Sequence, residues 1–176
     1  MAALIFIVRT LLSLLVTVFL LRFLLPVCRA DARNPLSQAV IKLTNPLVLP
    51  LRRVLPPIKR VDTASLVALL LVQLAATALI WLLSGYGLSA PVALLYEAVR
   101  ELLSLVLRFY FFIILIYALL SWVAPGTYSP AASVLNSLCT PILRPFQRLI
   151  PPIVGIDLSA LFALIAIQAL QILLSL

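Results

Sequence analysis

Four long apolar runs decide what this chain can become. They cover roughly residues 3–25, 64–83, 102–124 and 158–176, and each has about the twenty residues a helix needs to cross bilayer hydrocarbon. All are too long for a strand, and a backbone in lipid must satisfy its own hydrogen bonds, which a helix does within one segment. Composition agrees: 65% of the 176 residues are hydrophobic and 10% charged, against about half and a quarter in soluble domains. A chain of this length has no interior large enough to hide that surface from water. Residues 1–9 resemble a signal-peptide start only loosely, with a long run behind them and no small-residue cleavage site, so this run is read as a retained first span.

Most of the charges lie between the runs. Segment 26–63 holds Arg29, Arg33, Lys42, Arg52, Arg53, Lys59 and Arg60 against Asp31 and Asp62, and segment 125–157 holds Arg144 and Arg148 against Asp157. The middle connection, 84–101, is near neutral, with Glu97, Arg100 and Glu101. With four spans the two basic connections share a side. The positive-inside bias makes that side cytoplasmic and puts both termini outside. Arg9, Arg22 and Arg108 lie within about two turns of a span end and are expected to snorkel, while Trp81 and Trp122 sit where aromatic rings anchor.

A shift of 95 residues superposes the two basic segments without a gap: Asn34-Pro35 on Ser129-Pro130, Pro46 on Pro141, Pro50 on Pro145, Arg53 on Arg148, Pro56-Pro57 on Pro151-Pro152, Asp62 on Asp157 and Gln73 on Gln168. Chance does not put so many prolines in register, so the chain is a tandem duplication. The expected fold is all-α and membrane-embedded: four transmembrane helices in two parallel repeats, 1–83 and 102–176, joined by the non-cytoplasmic connection 84–101. Each repeat carries a cytoplasmic amphipathic, proline-rich interfacial segment.

Within that segment Asn34 and Ser129 are N-cap residues followed by proline at the first helical position. The stripe Leu36, Val40, Leu43 and Leu47, opposite Ser37, Gln38 and Lys42, reads as a short helix lying in the interface. Asn45-Pro46 and Thr140-Pro141 are expected to stop it, with Pro50 and Pro145 limiting a further turn. Asp62 and Asp157 are expected to cap the next spans, compatibly with a salt bridge to Arg53 or Arg148. Gln73 and Gln168 fall near mid-span, where an amide needs a partner. Two arrangements provide one: the glutamines meet across a central pseudo-twofold axis, or each bonds to its nearest helix.

Leu43-Thr44-Asn45-Pro46, Pro50-Leu51-Arg52-Arg53-Val54-Leu55-Pro56 and Val61-Asp62, with second copies at 140–152 and 155–159, resemble the repeated signature of the YggT family of membrane proteins. The resemblance covers nearly the whole chain, departing where Leu49 stands against Arg144 and where Gln147 interrupts the Arg-Arg pair. It implies a bacterial inner-membrane location and an association with osmotic-stress tolerance, cell division and envelope organisation. In plastids it implies cytochrome b6 maturation and nucleoid distribution. It implies no common enzymatic activity.

Residue chemistry also argues against an enzyme. There is no histidine and there are four glycines, which leaves no histidine base, no nucleophile elbow and no Gly-rich phosphate loop. Cys28 and Cys139 show no metal spacing and read as small apolar residues. No catalytic residue, metal or cofactor is expected, and without an aromatic-interleaved basic groove no nucleic acid either. The expected role is structural, with Arg52, Arg53, Lys59, Arg60, Arg144 and Arg148 as contacts for anionic headgroups, other membrane proteins or a second copy of the chain. An oligomeric ion channel or transporter, lined by Gln73, Gln168 and Gln171, is the alternative.

Overall fold

The computed structural model describes residues 2–56, 62–87, 90–123, 129–149 and 159–175. These form six helices and no strand: α1 (Ala2–Val27), α2 (Pro35–Val54), α3 (Thr63–Leu83), α4 (Pro91–Val123), α5 (Pro130–Leu149) and α6 (Ser159–Ser175). Helices α1, α3 and α4 are long and apolar enough to cross a membrane, and α6 is an apolar helix of 17 described residues. Large side chains such as Phe6, Leu11, Leu71, Phe112 and Leu173 stand exposed along them, a surface that lipid covers and water does not.

Two contact units divide the chain. One comprises Met1–Phe23 and Val40–Leu105, the other Leu24–Ala39 and Val106–Leu176. Neither coincides with a repeat, since α1, α2 and α4 each pass from one unit into the other. In the first unit α3 buries the small residues Ala64, Ser65 and Ala68. In the second, α6 buries Ser159, Ala160 and Ala163, each 95 positions further on, and packs on α5. Small residues let helix backbones approach closely where no hydrophobic effect drives them together.

Three elements differ from the sequence reading. First, the prolines do not stop the helices of the basic segments: α2 runs through Pro46 and Pro50, and α5 through Pro141 and Pro145. Proline removes one N–H and frees the carbonyl four residues earlier. All four prolines stand exposed and four residues apart in pairs, so those carbonyls open onto the outer face rather than into packing. Thr44 and Thr140 donate their hydroxyls to the carbonyls of Val40 and Asn136, at 2.8 and 2.6 Å.

Second, the buried side of α2 is Ser37, Thr44 and Val48, while Leu36, Leu43 and Leu47 are exposed, Leu43 by 70%. The helix therefore has three faces: a small-residue face against the protein, an exposed apolar face, and an exposed face of Gln38, Lys42, Leu49 and Arg53. Binary patterning cannot separate a protein-facing stripe from a lipid-facing one.

Third, α4 begins at Pro91, eleven residues before the expected span. Proline at the first helical position has no N–H to leave orphaned, and Leu94 N–H closes the first turn on Ala90 O. At 1.5 Å per residue the 33-residue helix is about 50 Å long, more than the roughly 30 Å of hydrocarbon. Most of the middle connection is thus helix.

Helix termini are closed by local chemistry. Leu36 N–H donates to Asn34 Oδ1 at 2.9 Å and Ala132 N–H to Ser129 Oγ at 3.1 Å. Beyond α3, Gly85 N–H returns to Leu82 O and Tyr86 N–H to Trp81 O, with Gly85 at φ +82° and the Trp81 and Tyr86 rings 6.0 Å apart. That is a Schellman close with its hydrophobic clasp. The same bonds follow α1, from Arg29 N–H to Pro26 O and Ala30 N–H to Leu25 O, but here Arg29 takes the left-handed position at φ +56°. A side chain there costs about 1 kcal/mol relative to glycine. Arg29→Gly is therefore expected to raise stability, by up to about 1 kcal/mol in reversible unfolding in mild detergent.

Candidate polar sites at the helix ends and within the span

Asp62 caps α3. Its Oδ1 accepts Ser65 N–H at 3.4 Å, and its Oδ2 accepts Ser65 Oγ–H at 2.8 Å and an Arg52 Nη2–H. The salt-bridge partner is Arg52, not Arg53, which stands exposed. α2 ends two residues beyond Arg52, which continues the row of Thr44 and Val48 on the buried side, whereas Arg53 lies about 100° around the helix. Burial by itself would raise the Asp62 carboxyl, but the hydrogen bonds from Ser65 and Arg52 hold it below the ordinary aspartate range. Arg22 of α1, nearly buried, feels both Arg52 and Asp62. Lys59, Arg60 and Asp157 lie outside the described residues. On α5, Arg144 and Arg148 are exposed.

Gln73, the midpoint of α3 and 5% exposed, takes a partner on its nearest neighbour. Its Nε2 donates to Thr77 Oγ1 at 3.0 Å and to Glu101 Oε2 of α4 at 3.2 Å, and Thr77 donates to the same Glu101 oxygen at 2.8 Å. Glu101 Oε1 lies 3.8 Å from Arg9 of α1. Gln168 is exposed, and Gln171 Nε2 is buried without a partner among the described residues. The repeats diverge here: 95 residues from Thr77 is Ile172, and 95 before Glu101 is Phe6.

Sequence reasoning missed Glu101 because it was assigned to a connection. Two signals were available: Ala90-Pro91 as a helix start, and Thr77 one turn beyond Gln73.

Cys139 is buried and Cys28 half-buried. Burial pushes both thiols up, Cys139 to about 12; a hydrogen bond with Tyr110 partly offsets the effect at Cys28. Since the thiolate is the nucleophile, maleimide at pH 7.5 is expected to modify Cys28 slowly, faster as pH rises, and to leave Cys139 unmodified until the fold is opened. Mass mapping of the adducts reads this directly.

Long apolar helices with lipid-type surfaces, joined to basic amphipathic helices, define a helical integral membrane protein. The CCB3/YggT family matches residues 1–83 and 96–176 in two segments, and the chain belongs to that family. It is 44% identical to an uncharacterized protein of Pseudomonas aeruginosa over 97% of this chain and 87% of that one. It is 37% identical to a protein of the proC 3' region of Vibrio alginolyticus, over 93% and 88%. To the protein named YggT in Escherichia coli K12 it is 35% identical, over 97% and 88%. No solved structure matches the chain significantly.

Proposed function

We propose that this protein is a non-enzymatic structural and assembly factor of the bacterial inner membrane. It spans four times, with both basic segments cytoplasmic and both termini periplasmic, and organises the envelope by docking anionic headgroups and other membrane proteins. The observation that carries this reading is the exposed basic face of the interfacial helices, Lys42 and Arg53 on α2 and Arg144 and Arg148 on α5, beside an exposed apolar face on α2 that suits the acyl boundary. Roles in osmotic-stress tolerance and cell division follow from the family resemblance. The test is crosslinking pull-down from native membranes: Arg53→Glu/Arg144→Glu/Arg148→Glu should insert normally and lose the wild-type partners. Unchanged partners would contradict the reading.

A second reading, an ion channel or transporter acting as an oligomer, is favoured by one observation, the carboxylate of Glu101 held against mid-α3. Ionisable groups at such depth mark pathways in many membrane proteins. Potassium flux through purified protein in liposomes separates the two readings, and flux no greater than in empty vesicles favours assembly.

A further inference from the structure

Arg22 is 6% exposed and sits on α1 within a turn and a half of its end. Among the described residues, the charges acting on it are Arg52 and Asp62. Asp62 is already engaged by Arg52 and by Ser65 through both side chain and backbone. Two guanidinium groups and one carboxylate leave a net positive charge, with the Arg22 guanidinium on the buried side of the group, and a buried charge persists only where an opposite charge meets it. Arg52 gives one Nη to Asp62, and its side chain is still 42% exposed, so it can accept a second anion on the open side.

The duplication supplies an internal control. The two family segments begin at residues 1 and 96, so the shift of 95 extends to the first helix of each repeat. At the positions of Arg22 and Arg52 the second repeat has Tyr117 and Gln147, while Asp157 matches Asp62. Neither arginine of the first repeat therefore recurs in the second, although the aspartate does. An N-cap needs only a side-chain oxygen at the helix start, so the paired arginines of the first repeat exceed what a cap requires.

We propose that Arg22 and Arg52, beside Asp62, form a binding site for the phosphodiester of one membrane phospholipid. Guanidinium forks match phosphate oxygens in pairs. All three residues lie at helix ends: the last turns of α1, the last turn of α2 and the N-cap of α3. In a spanning protein that is the depth of the headgroups. The site rests on the interfacial reading of the protein and adds a specific ligand to it.

The test uses the full chain in detergent, with bound lipid measured by native mass spectrometry and thermal stability measured with additives. Wild type should retain one phosphatidylglycerol and be stabilised by it, but not by diacylglycerol with the same acyl chains or by inorganic phosphate. Arg22→Tyr/Arg52→Gln, which copies the second repeat, should fold and bind the lipid at least about tenfold more weakly. Asp62→Asn, which removes the competing anion, should bind it at least as tightly as wild type.

Equal stabilisation by diacylglycerol, or displacement of the lipid by millimolar inorganic phosphate, overturns the site without needing a variant. Full retention by Arg22→Tyr/Arg52→Gln does the same. Loss of the lipid in Arg53→Glu/Arg148→Glu but not in Arg22→Tyr/Arg52→Gln would leave the interfacial reading standing and remove this site.

Discussion

Asp62→Ala is expected to be the most damaging single substitution outside the apolar core, costing about 2–4 kcal/mol in reversible unfolding in bicelles. Losing an N-cap costs about 1 kcal/mol. Removing the carboxylate also leaves Arg22 and Arg52 as like charges facing each other. A fully buried pair broken this way costs about 3–5 kcal/mol, which is discounted here because Arg52 is 42% exposed. Asn caps as well as Asp, so Asp62→Asn should cost about half as much. Because the folded carboxyl is held below its ordinary value, its contribution is complete above the unfolded value of about 3.9 and disappears as pH falls through the lower folded value. Wild type should therefore lose stability relative to Asp62→Asn as pH falls below about 4, and the two curves should converge in acid.

Glu101→Ala is expected to cost about 1–3 kcal/mol by a different route. It leaves Thr77 Oγ–H and one Gln73 N–H without the acceptor that both share. Orphaned buried donors cost about 1–3 kcal/mol each in soluble proteins, but interhelical bonds in bilayers average about 0.6 kcal/mol, so the expectation for the two together lies between about 1 and 3 kcal/mol. Releasing Arg9, largely exposed, adds little. A Gln73→Leu/Glu101→Leu cycle should show coupling of about 1 kcal/mol, and Gln73→Leu/Thr77→Val/Glu101→Leu should recover most of the loss. If the triple variant is as unstable as Glu101→Ala, the cluster is not held together by these bonds.

The helical membrane class was legible because apolar runs of this length admit little else, and the repeat was legible because proline positions survive as a pattern. The faces of α2 were not. Ser37 is buried and Leu43 exposed, the reverse of the soluble rule that apolar means inside, and the order expected if lipid covers that side. The prolines misled for a related reason: the penalty for a freed carbonyl depends on what surrounds it, and at Pro46 and Pro141 it faces outward. Asp62 was legible as a cap, but its partner was offset by one residue, since choosing Arg52 over Arg53 depends on helix rotation rather than on composition. Glu101 was hidden by the length of α4, whose first three turns carry too much charge to register as part of a span.

Sided cysteine labelling tests the interfacial account most directly. In a Cys28→Ser/Cys139→Ser background, Arg53→Cys and Arg144→Cys should react with an impermeant maleimide in inside-out vesicles and not in spheroplasts, while Leu43→Cys should react slowly from either side. Labelling of Arg53→Cys from the periplasm, or labelling of Leu43→Cys as fast as Arg53→Cys, would contradict a basic helix lying in the cytoplasmic interface with its apolar face in lipid.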